Sequence, residues 1–212
     1  MAKRLRKKPN LAARMQQCSH LLVVEPEALR ERWLDELKYS ELHLELGCGK
    51  GKFTVESAKA EPETLFVALE KSADAMITAL ERAVGDGLTN VRFINALADN
   101  IADYFAPGEV SRIYINFCDP WPANRHVKRR LTCRRFLQIY SRVLRQGCEI
   151  WFKTDNLPLF EYSLAEFKKC GFELLEEARD LHKNGQVGVM TDYEEKFHNQ
   201  GLPIYRCIVR AL

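Results

Sequence analysis

The chain has 212 residues, 46% hydrophobic and 29% charged, which suits one α/β domain with a modest extension. No run is apolar enough to span a bilayer, and no apolar stretch follows the basic N-terminus, so neither a membrane segment nor a secretory signal is expected. The net charge of +3 hides a segregation: 14 of the 32 basic residues lie in 1–14 and 125–145, which hold no acid, leaving 18 against 29 acids elsewhere, a pattern that suits a polyanionic partner.

Residues 1–20 read as a flexible basic arm, and 21–212 as a single domain. Leu29, Trp33, Leu34 and Leu37 recur at helical spacing and predict an amphipathic helix over 25–37. Alternation then begins: strands are expected at 42–46, 65–69, 91–94, 112–117 and 149–153. Between them, helices are expected at 52–59, 73–84, about 99–105 and 132–144, with another at 159–170. Two last strands, 172–181 and 204–209, have no helix between them and fit an antiparallel hairpin at a sheet edge. Strands alternating with helices imply βαβ units and a mainly parallel sheet. Trp33 reads as core. Ser72 is expected to cap the second of the alternating helices.

The cysteines, Cys18, Cys48, Cys118, Cys133, Cys148, Cys170 and Cys207, are scattered and odd in number, with no C-x-x-C pair. That argues against a disulfide framework and a zinc site, and for a reducing cytoplasm. His20, His43, His126, His182 and His198 are too dispersed for a metal motif, and no metal is expected.

The first strand runs into Glu45-Leu46-Gly47-Cys48-Gly49-Lys50-Gly51. Glycines at a strand-to-helix turn let the backbone approach a nucleotide-type ligand. The third glycine comes one residue too early for a dinucleotide fingerprint, and Glu45 would repel a pyrophosphate. A cationic sulfonium and amino group would instead favour that carboxylate, which points to S-adenosyl-L-methionine. Glu70 ends the second strand about 20 residues on, where an acid can accept both ribose hydroxyls. Gly47, Gly49 and the end of the third strand, Asn95, Leu97 and Ala98, complete the expected cofactor site, with Leu97 and Ala98 at the adenine.

The fourth strand leads into Asn116-Phe117-Cys118-Asp119-Pro120-Trp121-Pro122. Two prolines stiffen this turn and place Asp119 at the mouth of the cofactor crevice. Trp121 could stack on a base or pack the turn. With Arg125-His126, Lys128-Arg129-Arg130-Leu131, Lys153-Thr154-Asp155-Asn156, Thr191-Asp192-Tyr193-Glu194, Lys196-Phe197 and Gly201-Leu202-Pro203-Ile204, in this order, the whole chain resembles the bacterial tRNA (guanine-N7-)-methyltransferase family, the TrmB type.

The resemblance implies a Rossmann-like class I S-adenosylmethionine-dependent methyltransferase: a seven-stranded, mostly parallel sheet with an antiparallel last strand and helices on both faces. The residues themselves set the methyltransferase domain at 21–212 in a cytoplasmic protein, with a monomer and a homodimer equally compatible. The reaction would be methyl transfer to N7 of a tRNA guanosine, expected in the variable loop. Asp119 is the expected catalytic residue, touching both cofactor and base. Arg125, Lys128, Asp155, Thr191, Asp192, Tyr193 and Glu194 are the expected substrate contacts, Asp119 and Glu194 accepting from the guanine N1–H and amino group. Two positions depart from the family pattern: Ala123 stands where a substrate-contacting lysine is usual, and Leu97 where an aspartate is common. A methyltransferase for an exocyclic amine of another RNA would carry two adjacent prolines, which Trp121 separates here. A small-molecule enzyme would not need clustered cations. A non-enzymatic RNA-binding protein would not need Glu45, the glycine turn and Glu70 together.

Overall fold

The computed structural model describes residues 7–212. The chain runs α1 (Leu11–Gln17), a 3-10 turn (Pro26–Leu29), α2 (Trp33–Leu37), β1 (Glu41–Leu46), α3 (Lys52–Ala60), β2 (Thr64–Leu69), α4 (Ala73–Gly85), β3 (Val91–Ile94), α5 (Ile101–Tyr104) and β4 (Val110–Asn116). A 3-10 segment (Asn124–Arg129) precedes α6 (Arg134–Val143), followed by β5 (Leu144–Thr154), α7 (Leu157–Lys169), β6 (Phe172–Ala178), α8 (Asp192–His198) and β7 (Tyr205–Ala211).

The strands form one seven-stranded sheet in the order β3-β2-β1-β4-β5-β7-β6. Only β7 runs against its neighbours, pairing antiparallel with both β5 and β6. The final pair is antiparallel at the sheet edge, as expected, with β7 beside β5 and β6 outermost, but its connection holds a helix, α8, where none was expected. That edge carries Glu173, Glu176 and Glu177 and a bulge between Leu174 and Glu176, features that discourage pairing with another chain. Two apolar layers cover the sheet. Trp33, Tyr104, Phe136, Tyr140, Phe160 and Phe167 pack one face. Cys18, Leu21, Phe53, Met76, Ile77 and Leu80 pack the other.

Three further expectations change. The continuous helix over 25–37 is broken, with Glu31 at φ 70°. The cause is tertiary competition: the Glu31 and Trp33 amides each donate to the Glu109 carboxylate at 3.1 Å, and Trp33 Nε1 donates to the Tyr104 carbonyl at 2.8 Å. Bonds to a carboxylate outcompete two turns of marginal helix. Of the basic arm, residues 1–6 lie outside the described residues. From Lys8 onward the chain is seated on α4: the Lys8 amide donates to Asp74 at 2.7 Å, and Arg14 grips Glu81 through two bonds of 2.7 Å. Trp33 is core, as expected, and fully buried. Ser72 holds the N-cap position of α4, but its side chain makes no capping bond.

His43 on β1 is buried edge-on against Phe66 and Tyr114. Burial, with the Arg112 charge nearby, pushes its imidazole down from 6.5 to about 4. The Glu61 carboxylate, 3.6 Å from Nδ1, is too solvated to offset that cost. The unfolded chain therefore takes up a proton near pH 6.5 that the fold refuses until about pH 4. This contribution is complete above 6.5 and is lost as pH falls through that window. We expect urea unfolding to show about 1–3 kcal/mol less stability at the lower end, and His43→Phe to remove most of that loss. Equal losses in the two proteins would acquit His43.

Candidate active site

A cavity of about 590 Å³ opens at the carboxyl ends of β1, β2 and β4. The strand order reverses between β1 and β4, the point where open α/β sheets bind ligands. Leu46, Gly47, Leu69 and Glu70 form one wall, with Ala96, Leu97 and Ala98 from the segment after β3. Phe117, Cys118, Asp119 and Trp121 form the other, backed by Arg135 and Phe136 of α6. Burial pushes the Cys118 thiol up to about 12, so it stays protonated and is no nucleophile.

The glycine loop is closed upon itself. The Gly47 and Cys48 amides donate to the Leu69 carbonyl at 2.8 and 3.0 Å, and the Gly51 amide to the Cys48 carbonyl at 2.9 Å. The Gly49 amide donates to Glu70 Oε2 at 3.0 Å. Such a loop has few amides left to cradle a pyrophosphate. Gly51 has φ 75°, and a Cβ there would stand 2.4 Å from the Ala79 Cβ, so only glycine lets α3 and α4 approach. At Gly47 a Cβ would meet nothing within 4 Å, leaving an open backbone shelf beside Glu70. A nucleoside ligand without a phosphate bridge fits this donor set, and S-adenosyl-L-methionine is one.

Glu70 lines the cavity, one oxygen taking the Gly49 amide and the other the Ser72 amide at 2.8 Å. Each carboxylate oxygen has a further lone pair for a hydroxyl. Asn95 braces this corner by donating to the Glu70 carbonyl at 2.7 Å. Leu97 is 55% exposed, presenting an apolar face where the family often has a carboxylate. Glu45 is placed differently from the expectation. It is 2% exposed and lies outside the cavity lining, behind the loop. The Thr54 hydroxyl donates to one of its oxygens and Asn116 Nδ2 to the other at 3.0 Å. Burial pushes its carboxyl up, against these two bonds.

The Asp119-Pro120-Trp121-Pro122 turn is strained and braced. Phe117 and Trp121 have φ of 52° and 42°, a region that non-glycine residues seldom occupy. Arg130 compensates: Nε donates to the Pro120 carbonyl at 3.0 Å, Nη2 to the Trp121 carbonyl at 3.1 Å, and the guanidinium lies 4.3 Å from the Tyr162 ring centroid. Arg129 covers the Trp121 ring at 4.9 Å and His126 meets its edge, so Trp121 both packs the turn and faces the cavity. Asp119 is left 59% exposed at the rim, 3.4 Å from Lys71 Nζ. Ala123, Arg125 and Lys128 are exposed on and beside the following 3-10 segment.

A second group lies beside the cavity, behind Phe117, just past β5 and on α8. The Tyr193 ring packs on Phe117 at 5.2 Å, and its hydroxyl donates to Asp155 Oδ2 at 3.4 Å. The neighbours of Tyr193 are committed elsewhere. Thr191 caps α8 by accepting the Glu194 amide at 2.9 Å. Asp192 is held by both terminal nitrogens of Arg82, at 2.8 and 3.0 Å. Glu194, expected to face guanine, is corrected by its burial. It is 0% exposed, with one oxygen on Lys153 Nζ at 2.6 Å and the other on His182 Nε2 at 2.9 Å. Sequence reasoning missed Lys153 and His182 and counted Arg130 among the RNA contacts. A lysine closing the apolar run Ile150-Trp151-Phe152 was the available signal, since lysine is seldom buried without a partner.

A family model described as a putative methyltransferase matches residues 39–207. A tRNA (guanine-N(7)-)-methyltransferase of Geobacillus kaustophilus is 45% identical over 206 residues, covering 96% of this chain and 95% of that protein. Its counterpart in Geobacillus thermodenitrificans is 44% identical with the same coverage. The chain belongs to the tRNA (guanine-N7-)-methyltransferase family. Among solved structures, the 16S rRNA methyltransferase KamB superimposes with a TM-score of 0.66 at 16% identity, covering 84% of this chain and 93% of that one. An antibiotic-related methyltransferase superimposes with a TM-score of 0.64, also at 16% identity, over 84% and 92%. These likenesses concern the fold, which is that of Rossmann-like class I S-adenosylmethionine-dependent methyltransferases.

In a family whose members share a methyl-transfer activity, the brace on the proline turn is directly testable. Arg130→Lys keeps the charge but loses the planar fork and the stack. Methyl-transfer kcat/KM should fall roughly 10- to 100-fold, with the salt slope of tRNA binding unchanged. A lysine variant of full activity would mean that the turn holds without the fork.

Proposed function

We infer that the chain transfers a methyl group to N7 of a guanosine in tRNA, giving 7-methylguanosine. The observation that carries this reading is the crevice at the strand switch point, where an internally bonded glycine loop and Glu70 face Asp119 on a rigid turn, in a chain of this family. S-adenosyl-L-methionine, held in the crevice, supplies the methyl group as an electrophilic carbon on a sulfonium. Glu70 has the lone pairs to receive the ribose hydroxyls, Gly47 offers its open backbone, and Leu97 and Ala98 form the apolar flank for the adenine. Glu45 acts from behind the loop, tying β1 to α3 and β4.

Guanine N7 carries a lone pair and no proton, so these residues need to position the base rather than deprotonate it. Holding two reactants in line can supply about 7–11 kcal/mol in well-oriented cases. The base becomes cationic on methylation, and the Asp119 carboxylate at the rim opposes that charge. Asp155 and Tyr193 form the opposite edge, the hydroxyl fixing the carboxylate and the ring closing over Phe117. No helix among the described residues is long and apolar enough to cross a membrane, and we place the protein in the cytoplasm with its tRNA. Incubation with labelled S-adenosyl-L-methionine and unmodified tRNA, followed by nucleoside digestion, should give labelled 7-methylguanosine. Label in another nucleoside, or none in tRNA, would refute the reading.

The basic stretch divides by use. Arg130 braces the turn, while Arg135 and Arg145 pair with Asp99 and Glu41. Arg125, Lys128, Arg129, Arg134 and Arg142 are exposed, with no ion pair among the described residues. We expect three or four of these to meet phosphates, so tRNA affinity should fall roughly 30- to 100-fold between about 50 and about 200 mM salt. A flat dependence in filter binding would remove this stretch from the RNA interface.

A further inference from the structure

The segment between β6 and β7 converges on one buried charge pair. Glu194 Oε2 accepts from Lys153 Nζ at 2.6 Å and from the Thr191 amide at 3.2 Å. Lys153 Nζ also donates to the Val189 carbonyl at 3.2 Å. The Val187 amide donates to His182 Nδ1 at 3.2 Å, which leaves the ring proton on Nε2 to donate to Glu194 Oε1 at 2.9 Å. Residues 182, 187, 189, 191 and 194 are thus drawn to the end of β5 by one ammonium and one carboxylate. Two further pairs hold α8 from outside, Arg82–Asp192 and Lys52–Glu195, but both are solvent-exposed and of little weight beside a buried one.

Neither His182 nor Glu194 reaches the cavity, and methylation of N7 calls for no base. Their neighbours come closer, since the Tyr193 ring packs on Phe117, which lines the cavity, and its hydroxyl donates to Asp155. Asp155 follows Lys153 by two residues, and Tyr193 precedes Glu194. We propose that His182 is a positioning residue for the guanosine end of the site: its Nε2–H completes the Lys153–Glu194 pair and so holds Tyr193 against Asp155 and Phe117. The proposal rests on the reading of the Asp155–Tyr193 edge as the place of the target base. Without that hydrogen bond one Glu194 oxygen is buried and unmatched, and the 182–203 segment loses its anchor to β5.

Two variants of the full-length protein separate the hydrogen bond from mere packing. His182→Gln carries an amide nitrogen far enough out to reach Glu194. His182→Asn can still accept the Val187 amide but falls short of Glu194. With unmodified tRNA, His182→Asn should lower kcat/KM roughly 10- to 100-fold, mainly through KM for tRNA, with the dissociation constant of S-adenosyl-L-methionine unchanged. His182→Gln should stay close to the parent protein. Tryptic cleavage at the exposed Lys183 and Lys196 should quicken in the asparagine variant only. An asparagine variant with parental KM and cleavage would overturn the proposal, as would equal losses in both variants. A parent protein that methylated no tRNA would overturn the activity itself, while the cleavage rates would still decide whether His182 anchors the segment.

Discussion

Lys153 is a buried cation set between two buried carboxylates. Glu194 bonds it directly, and Glu45 acts on it through space from the β1 side. Burial pushes the ammonium down, and both carboxylates pull it back toward the charged state. The reciprocal holds at Glu45, where burial raises the carboxyl while Thr54, Asn116 and Lys153 oppose it. Three ionisable groups in a dry interior are stable only as a set, since removing one leaves an uncompensated charge. The set lies beneath both halves of the site. Through Glu45 it fixes the β1–α3–β4 junction behind the glycine loop, and through Glu194 it fixes α8 beside Asp155.

The two halves solve opposite problems. The cofactor side is rigid because its polar groups satisfy one another: the loop amides go to Leu69, Cys48 and Glu70, and Glu70 also gathers the Ser72 amide. A loop so engaged selects against phosphate bridges by lacking free donors, which suits a cationic nucleoside better than a dinucleotide. The half proposed to take the base is open, and its groups are held from behind. Asp119 stands on a turn whose strained dihedrals are braced by Arg130, and Tyr193 stands on a helix anchored through Glu194.

The sequence made the sheet legible because hydrophobic runs and glycine turns are local signals. The glycine loop, Glu70 and the proline turn were legible for the same reason. Side-chain partners were not. Charge logic set Glu45 beside the sulfonium, but Thr54 and Asn116, the latter 71 residues away, hold it in the interior. Glu194 looked like a base contact because the family resemblance assigned the Thr191-to-Glu194 segment to the guanosine, yet its partners, Lys153 and His182, lie in other segments. The helix expected over 25–37 failed through the same kind of ignorance, since its competitor, Glu109, is 76 residues from Trp33. Local periodicity reveals which element forms, whereas a buried carboxylate reveals its role only once the chain has closed around it.

The arginines of the basic stretch follow the same division. A guanidinium can serve a phosphate or a backbone carbonyl, and charge counting treats both alike. Arg130 donates to two carbonyls and stacks on Tyr162, so its planar fork matters more than its charge. Each positive φ in a non-glycine residue costs on the order of 1–3 kcal/mol and persists only where the surroundings over-determine it. Phe117 and Trp121 flank Asp119 with two such residues, and both face the cavity. Strain placed on the turn that carries the acid, and braced by an arginine in the midst of a basic stretch, is the expected design where the reaction demands alignment and no proton transfer. The sheet supplies the crevice, the Arg130 fork holds the turn that carries Asp119, and the charges buried beneath hold Tyr193 against Phe117.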